Sequence, residues 1–182
     1  MITFTLPAWL HEKTDHFDPC RSDAEQLALA IELARLNVEH GSGGPFGAVI
    51  FNDEGRIVAA AVNRVVPETC SLAHAEIMAC MAAQKALGRA RLNEDGRRYT
   101  LATSAQPCCQ CYGATIWAGI DELLIGARAE DVMELTEFDE GPLPADWIGE
   151  LEKRGIVVRR DILRDQARQV LSDYSATGGA RY

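Results

Sequence analysis

The sequence predicts an α/β fold of three layers, with a five-stranded mixed sheet carrying helices on both faces. Three observations support it. Short apolar runs alternate with longer segments whose apolar residues recur at helical spacing, Gly or Pro punctuates most junctions, and an Asp-Glu-Gly turn joins the first two strands into a hairpin. At 182 residues and 47% apolar composition, one domain with a substantial core is expected.

Residues 1–21 read as an irregular arm whose Trp9, Leu10 and Phe17 pack on a main domain over 22–182. Ser22 and Glu25 form a capping-box pattern, and Leu27, Ala30, Ile31, Ala34 and Val38 follow at helical spacing, which predicts a helix over Asp23–Glu39. Gly41, Gly43 and Gly44 end it, and Pro45 leads into an apolar strand over 46–51. After Asp53-Glu54-Gly55 the chain returns as a strand over Ile57–Val62. A loop over 63–72 delivers it to a helix over 73–87, rich in helix formers and stopped by Gly88. A third strand over 99–103 connects through 104–106 to a helix over 107–118, and Glu122–Ala127 is the fourth strand. A short helix near Asp131, a loop over 138–144, a helix over 146–153, a fifth strand over 156–160 and a helix over 162–174 complete the chain. No repeat or linker marks a further boundary.

A net charge of −9 argues against a phosphate backbone as main partner, because such binding is dominated by Lys and Arg. The stretch from Lys153 onward is locally basic, with Lys153, Arg154, Arg159, Arg160, Arg164, Arg168 and Arg181 against Asp161, Asp165 and Asp173. A solvated helix face is the expected explanation. Residues 1–10 have no basic leader and no stretch reaches membrane-spanning length, so a cytoplasmic enzyme away from membranes is expected. Cys20, Cys70, Cys80 and Cys109 have no framework spacing and are expected as thiols.

The chemistry concentrates in two stretches, His74-Ala75-Glu76 and Pro107-Cys108-Cys109-Gln110-Cys111. Pro107 suits the first turn of a helix, Cys108 and Cys111 then share a face, and the positive helix N-terminus favours thiolates. With His74 they make three ligands for Zn2+, and a catalytic zinc keeps its fourth position open. Glu76 need not be a ligand and can act as general acid/base toward a water there. The same residues allow half of a four-ligand structural zinc with Cys70 as the fourth, or a redox pair, although a redox pair gives no reason for His74 and Glu76 to be nearby.

A His-x-Glu followed by Pro-Cys-x-x-Cys is the signature of zinc nucleobase deaminases. On these residues the chain resembles the cytidine deaminase superfamily and, within it, the guanine deaminase group. The resemblance runs from about Gly43 to the C-terminus through Gly44-Pro45-Phe46-Gly47-Ala48-Val49, Asn63, Thr103-Ser104, Gly113-Ala114, Ile116-Trp117-Ala118 and Phe138-Asp139-Glu140. It implies the cytidine-deaminase-like fold, with His74, Cys108 and Cys111 on zinc and Glu76 as proton shuttle. It further implies a small purine base as substrate, hydrogen-bonded by Asn63 beside Ala75 and walled by Phe46 and Trp117. Members of the group exchange C-terminal segments across a homodimer, which implies that residues from about 136 to 182 bring Phe138 and Glu140 into the partner's pocket, with Tyr182 closing it. One departure is Cys109-Gln110, where the group more often has a small or apolar residue followed by Met; it is expected to stay off the metal and to bear on the packing behind it.

The resemblance implies hydrolytic deamination of guanine to xanthine and ammonia. Guanosine, cytosine or aminotriazines differ only in pocket shape, and a tRNA adenosine deaminase shares the metal motif. A zinc-stabilised binding protein without catalysis would need a fourth ligand and would make Glu76 dispensable.

Overall fold

The computed structural model describes residues 3–15 and 17–180, so Tyr182 lies outside the described residues. The elements follow in the order α1 (Ala8–Thr14), α2 (Asp23–Glu39), β1 (Gly47–Asn52), β2 (Ile57–Val62), α3 (Val65–Glu68), α4 (Ala75–Leu87), β3 (Tyr99–Ala105), α5 (Cys109–Ala118), β4 (Glu122–Ala127), α6 (Ala129–Thr136), α7 (Trp147–Glu152), β5 (Val157–Arg159) and α8 (Arg164–Ala176). The strands form one sheet in the order β2-β1-β3-β4-β5. β1 pairs antiparallel with β2 and β3, whereas β3–β4 and β4–β5 are parallel. The expected mixed sheet in three layers is therefore present.

Period-two alternation divides the core between the two faces of the sheet. Val49, Phe51, Ala102 and Leu124 point into a cluster with Leu27, Leu33 and Ala34 of α2 and Ala167, Val170 and Leu171 of α8. Their neighbours Ala48, Ile50, Leu101, Leu123 and Ile125 point the other way, onto Met78, Ala79 and Ala83 of α4 and Ala118 of α5. Because both faces are covered, these strands are apolar almost throughout instead of alternating with polar residues. Helix α2 begins with the predicted capping box, the Ser22 hydroxyl accepting from the Glu25 N–H while the Glu25 carboxylate accepts from the Ser22 N–H.

Three expectations need correction. Residues 1–21 are not wholly irregular, since α1 buries Leu10 to 1% exposure and Trp9 stacks on His40 with ring centroids 5.2 Å apart. Phe17 does not pack, remaining 42% exposed. The loop over 63–72 contains α3. Segments of four and seven residues are too short for helical periodicity to register against the surrounding sequence.

The segment expected to leave for a partner packs on its own chain. Besides the apolar residues of α8, one buried carboxylate fixes it. Asp131, in the first turn of α6, is 1% exposed and accepts from the Arg128 backbone N–H at 2.8 Å. Two nitrogens of Arg164 on α8 reach its two oxygens at 2.7 Å, and Arg168 makes a further contact. Arg164 holds the Asp131 carboxyl down at about 2, with the Arg128 N–H and Arg168 adding to the effect against the penalty of burial. The other basic residues of this region are also engaged. Lys153 and Arg154 pair with Glu150, Arg159 pairs with Asp23 and Glu122, and Arg160 lies over the Trp147 ring. Apart from Arg160, the basic residues of this stretch are thus paired with acids among the described residues and form no strip of free cations.

The folded carboxyl titrates below its unfolded value of ~3.9, so this group's stabilisation is complete above that pH and disappears as pH falls toward about 2. We expect Asp131→Asn to cost on the order of 2 kcal/mol at neutral pH, discounted for the partly exposed arginines. In urea titrations the gap between variant and parent should narrow as pH falls from about 5 to about 2. A gap that is independent of pH would mean that the ion pairs do not supply it.

Candidate metal centre and active-site pocket

Two helix starts aim at one point. His74 is the N-cap of α4 and Cys108 the N-cap of α5, both in extended conformation, with ψ of 153° and 176°. Pro107 consequently precedes the cap instead of occupying the first turn. Cys111 is the third residue of α5, so one short helix start delivers both sulfurs to the same side. The elements behind them are fixed by the sheet: β3 runs directly into α5, and α4 lies across β1 and β2 in the same layer.

Ligand atoms of His74, Cys108 and Cys111 all lie within 4.8 Å of one another, and the Cys108 Sγ is 3.5 Å from His74 Nδ1. Cys70, the fourth ligand of the structural alternative, is not in this group, and neither is Cys109, whose side chain is exposed. The two buried thiols lie against each other and shift in opposite directions. Hydrogen bonding from Cys111, with help from His74, brings Cys108 down to about 4, while the same bond and burial drive Cys111 up. One imidazole and two thiols match the borderline-soft preference of zinc and leave room for a fourth ligand, so the donor set fits that metal.

Glu76 follows in the first turn of α4 at 7% exposure, and burial is the main cause raising its carboxyl above the usual range. Its carboxylate reaches Cys111, so the acid stands against the metal ligands without being one of them. A cavity of about 100 Å³ opens here, lined by His74, Glu76, Cys108, Phe46, Asn63, Gln106, Phe138, Asp139 and Glu140. Burial, followed by the Cys108 charge, pushes Glu140 up to about 8. Asn63 is 1% exposed, and its Oδ1 accepts from the Val65 N–H at 3.2 Å, so its amide nitrogen is the end available to the cavity.

Two expected contacts are absent from this cavity. Trp117 is 77% exposed and does not line it. The inward stripe of α5 is Cys108, Cys111, Thr115 and Ala118, and Trp117 stands about 200° of helix rotation beyond Thr115. Ala75 is fully buried in the apolar cluster between sheet and α4, so its side chain belongs to the core. Within the single chain described, Phe138, Asp139 and Glu140 line the pocket beside the metal ligands. Phe138 is held between Phe46 and Tyr174, with ring centroids at 5.7 and 6.2 Å.

Other contributors carried little sequence signal. Gln106 lines the cavity but stood in a connecting tripeptide without a motif. Asn37, completely buried on α2, donates to the carbonyls of Gly44 and Asn63 at 2.8 and 2.9 Å and accepts from the Ser42 hydroxyl at 2.7 Å. It clamps the glycine loop to the segment that carries Asn63. A single Asn in an otherwise apolar helical stripe was the available clue.

Residues 21–127 match the family model described as the cytidine and deoxycytidylate deaminase zinc-binding region. The chain belongs to this family of zinc-dependent deaminases. Guanine deaminase of Bacillus subtilis (strain 168) is 40% identical over 114 residues, covering 63% of this chain and 69% of that one. The structure of guanine deaminase from Nitrosomonas europaea superimposes with a TM-score of 0.92 at 41% identity, over 97% of both chains. A tRNA-specific adenosine deaminase of Buchnera aphidicola subsp. Schizaphis graminum is 29% identical over 152 residues, 84% of this chain and 93% of that protein.

For this deaminase we expect about one zinc per chain. Elemental analysis should show loss of the metal in Cys108→Ala and Cys111→Ala and its retention in Cys70→Ala and Cys109→Ser. Release of zinc by Cys70→Ala would overturn the three-ligand assignment.

Proposed function

We propose that the chain is a guanine deaminase, hydrolysing guanine to xanthine and ammonia. The observation that carries this is the small cavity in which Glu76, Asp139, Glu140 and the Asn63 amide meet beside the metal ligands. At about 100 Å³ it is well below the ~300–1,000 Å³ of sites for drug-sized ligands, which favours a free base over a nucleoside or an RNA loop. Its carboxyl oxygens can accept from the run of N–H donors that guanine presents on its ring and exocyclic amine. Asn63 supplies the complementary donor to a ring nitrogen or carbonyl. Polar edges left unpaired in such a site would cost more than a missing methyl, so this pairing bears directly on substrate choice.

Zinc, held by His74, Cys108 and Cys111, supplies Lewis acidity that makes water a nucleophile near neutral pH. Glu76 accepts a proton as the water oxygen bonds to C2 of the base and returns it to the adjacent ring nitrogen. A second transfer through Glu76 reaches the exocyclic nitrogen as its bond to C2 breaks, and ammonia leaves. Glu140, whose raised position favours the protonated acid at neutral pH, holds the base edge or carries the second proton. Phe46 and Phe138 exclude water from the ring faces.

A second reading, action on adenosine in tRNA, is favoured by the 93% coverage of the tRNA-specific relative. Against it stand the net charge of −9 and the pairing of the C-terminal basic residues with acids. Ammonia release across free bases, nucleosides and tRNA hairpins separates the two: guanine should be turned over fastest, and preference for the hairpin would reverse the assignment.

Glu76→Gln should retain zinc and fold while losing at least ~100-fold in turnover. Near-normal turnover would remove Glu76 from the mechanism. If the protein assembles as a dimer, each chain is expected to build its own site, so mixing Glu76→Gln chains with Glu140→Gln chains should restore nothing. Recovery to roughly half activity per dimer would instead establish exchange of segments.

A further inference from the structure

The loop that carries Phe138, Asp139 and Glu140 is seated on the first residue of the metal-binding helix, and the seat is narrow. The Cys109 N–H, one of the unpaired amides at the start of α5, donates to the Glu140 carbonyl at 3.0 Å. The next residue, Gly141, has φ +66°, and its N–H donates to Asp139 Oδ1 at 2.9 Å, closing the loop on itself. A Cβ on Gly141 would lie 2.6 Å from Cys109 Sγ and 3.3 Å from Cys109 Cβ. The loop thus comes down on the Cys109 side chain as far as a residue without a side chain permits.

We propose that Cys109 and Gly141 form a latch that sets the height of the Glu140 loop over the pocket, and that both are positioning residues for the deamination. Cys109 is flanked by the ligand Cys108, so the latch references the loop to the metal helix itself and not to the body of the protein. One residue along, the loop places Glu140 in the cavity with Glu76 and His74. A displacement of Gly141 by even an ångström is passed directly to the adjacent carboxyl, and misplacement on that scale costs about 100-fold in a reaction that depends on orientation. The role makes specific the expectation that Cys109 stays off the metal and bears on packing: the thiol is exposed, outside the ligand group and close to Gly141.

The inference rests on the reading of Glu140 as an active-site acid, so its test has one arm that needs no substrate. Gly141→Ala, Cys109→Ala and the double variant are compared in the zinc-loaded enzyme. The first arm is hydrogen exchange of peptides covering Cys109 and residues 138–141. Gly141→Ala should raise their exchange at least ~10-fold without change elsewhere, and adding Cys109→Ala should return the part due to the colliding sulfur, the strain of a side chain at φ +66° remaining. The second arm is steady-state deamination of guanine: Gly141→Ala should lower kcat at least ~10-fold with KM within about threefold and zinc content unchanged, and the double variant should recover part of that loss. Unchanged exchange in Gly141→Ala, or a double variant no better than the single one in both arms, overturns the latch. Raised exchange with unchanged kcat on guanine overturns the positioning role. If the parent protein does not turn over guanine at all, the proposed function falls, and the exchange arm alone decides whether the latch exists.

Discussion

The site depends on the convergence of two helix N-termini on one point. His74 and Cys108 are each the last extended residue before a helix, and the first turns beyond them supply Glu76 and Cys111. A residue in that position has its backbone direction fixed by the strand or loop before it and its side chain aimed by the helix after it. The positive helix end also lowers the cost of the thiolate that a metal requires. Neither helix could hold this position alone. α5 is located because β3 enters it directly, and α4 because its Met78, Ala79 and Ala83 pack on the same face of the sheet.

The opposite layer contributes by closing the pocket. α2 lies across the sheet from the metal, yet its buried Asn37 holds the Asn63 carbonyl and the glycine loop in register. A Cβ on Gly43 would collide with that same carbonyl, so the loop reaches Asn63 only because residue 43 is a glycine. On the other side of the pocket, α8 holds Tyr174 against Phe138, and Asp131 with its two arginines holds α8 to α6. The cavity is therefore shaped by both layers although the metal ligands come from one.

Much of this was legible in the sequence, for identifiable reasons. The strands are apolar on both faces, α2 carries a complete capping box, and Gly88 and Gly119 end their helices where a stop was expected. The metal site was legible because its chemistry demands particular residue types at spacings that a helix start imposes. Trp117 was misplaced because a large aromatic near a motif suggests a wall, whereas its phase on α5 turns it outward. Asn37 and Gln106 were silent because their importance lies in carbonyls and a cavity formed by residues distant in sequence. The path of the C-terminal segment was not legible either: an amphipathic helix such as α8 has the same sequence whether it covers its own sheet or a partner's, and within this chain it packs on α2 and α6.

The departure at Cys109-Gln110 shows how little freedom remains around the metal. Gln110 Nε2 is buried without a protein partner among the described residues, beside two ligands that do not depend on it. Cys108 is set by the extended backbone before the helix and Cys111 by the first turn, while the side chain at 110 points elsewhere. The same reasoning explains why Cys109 can differ and still matter: its side chain cannot reach the metal but does reach Gly141. Within one five-residue motif, positions 108 and 111 are thus constrained by the metal, and position 109 by the loop that brings the second acid.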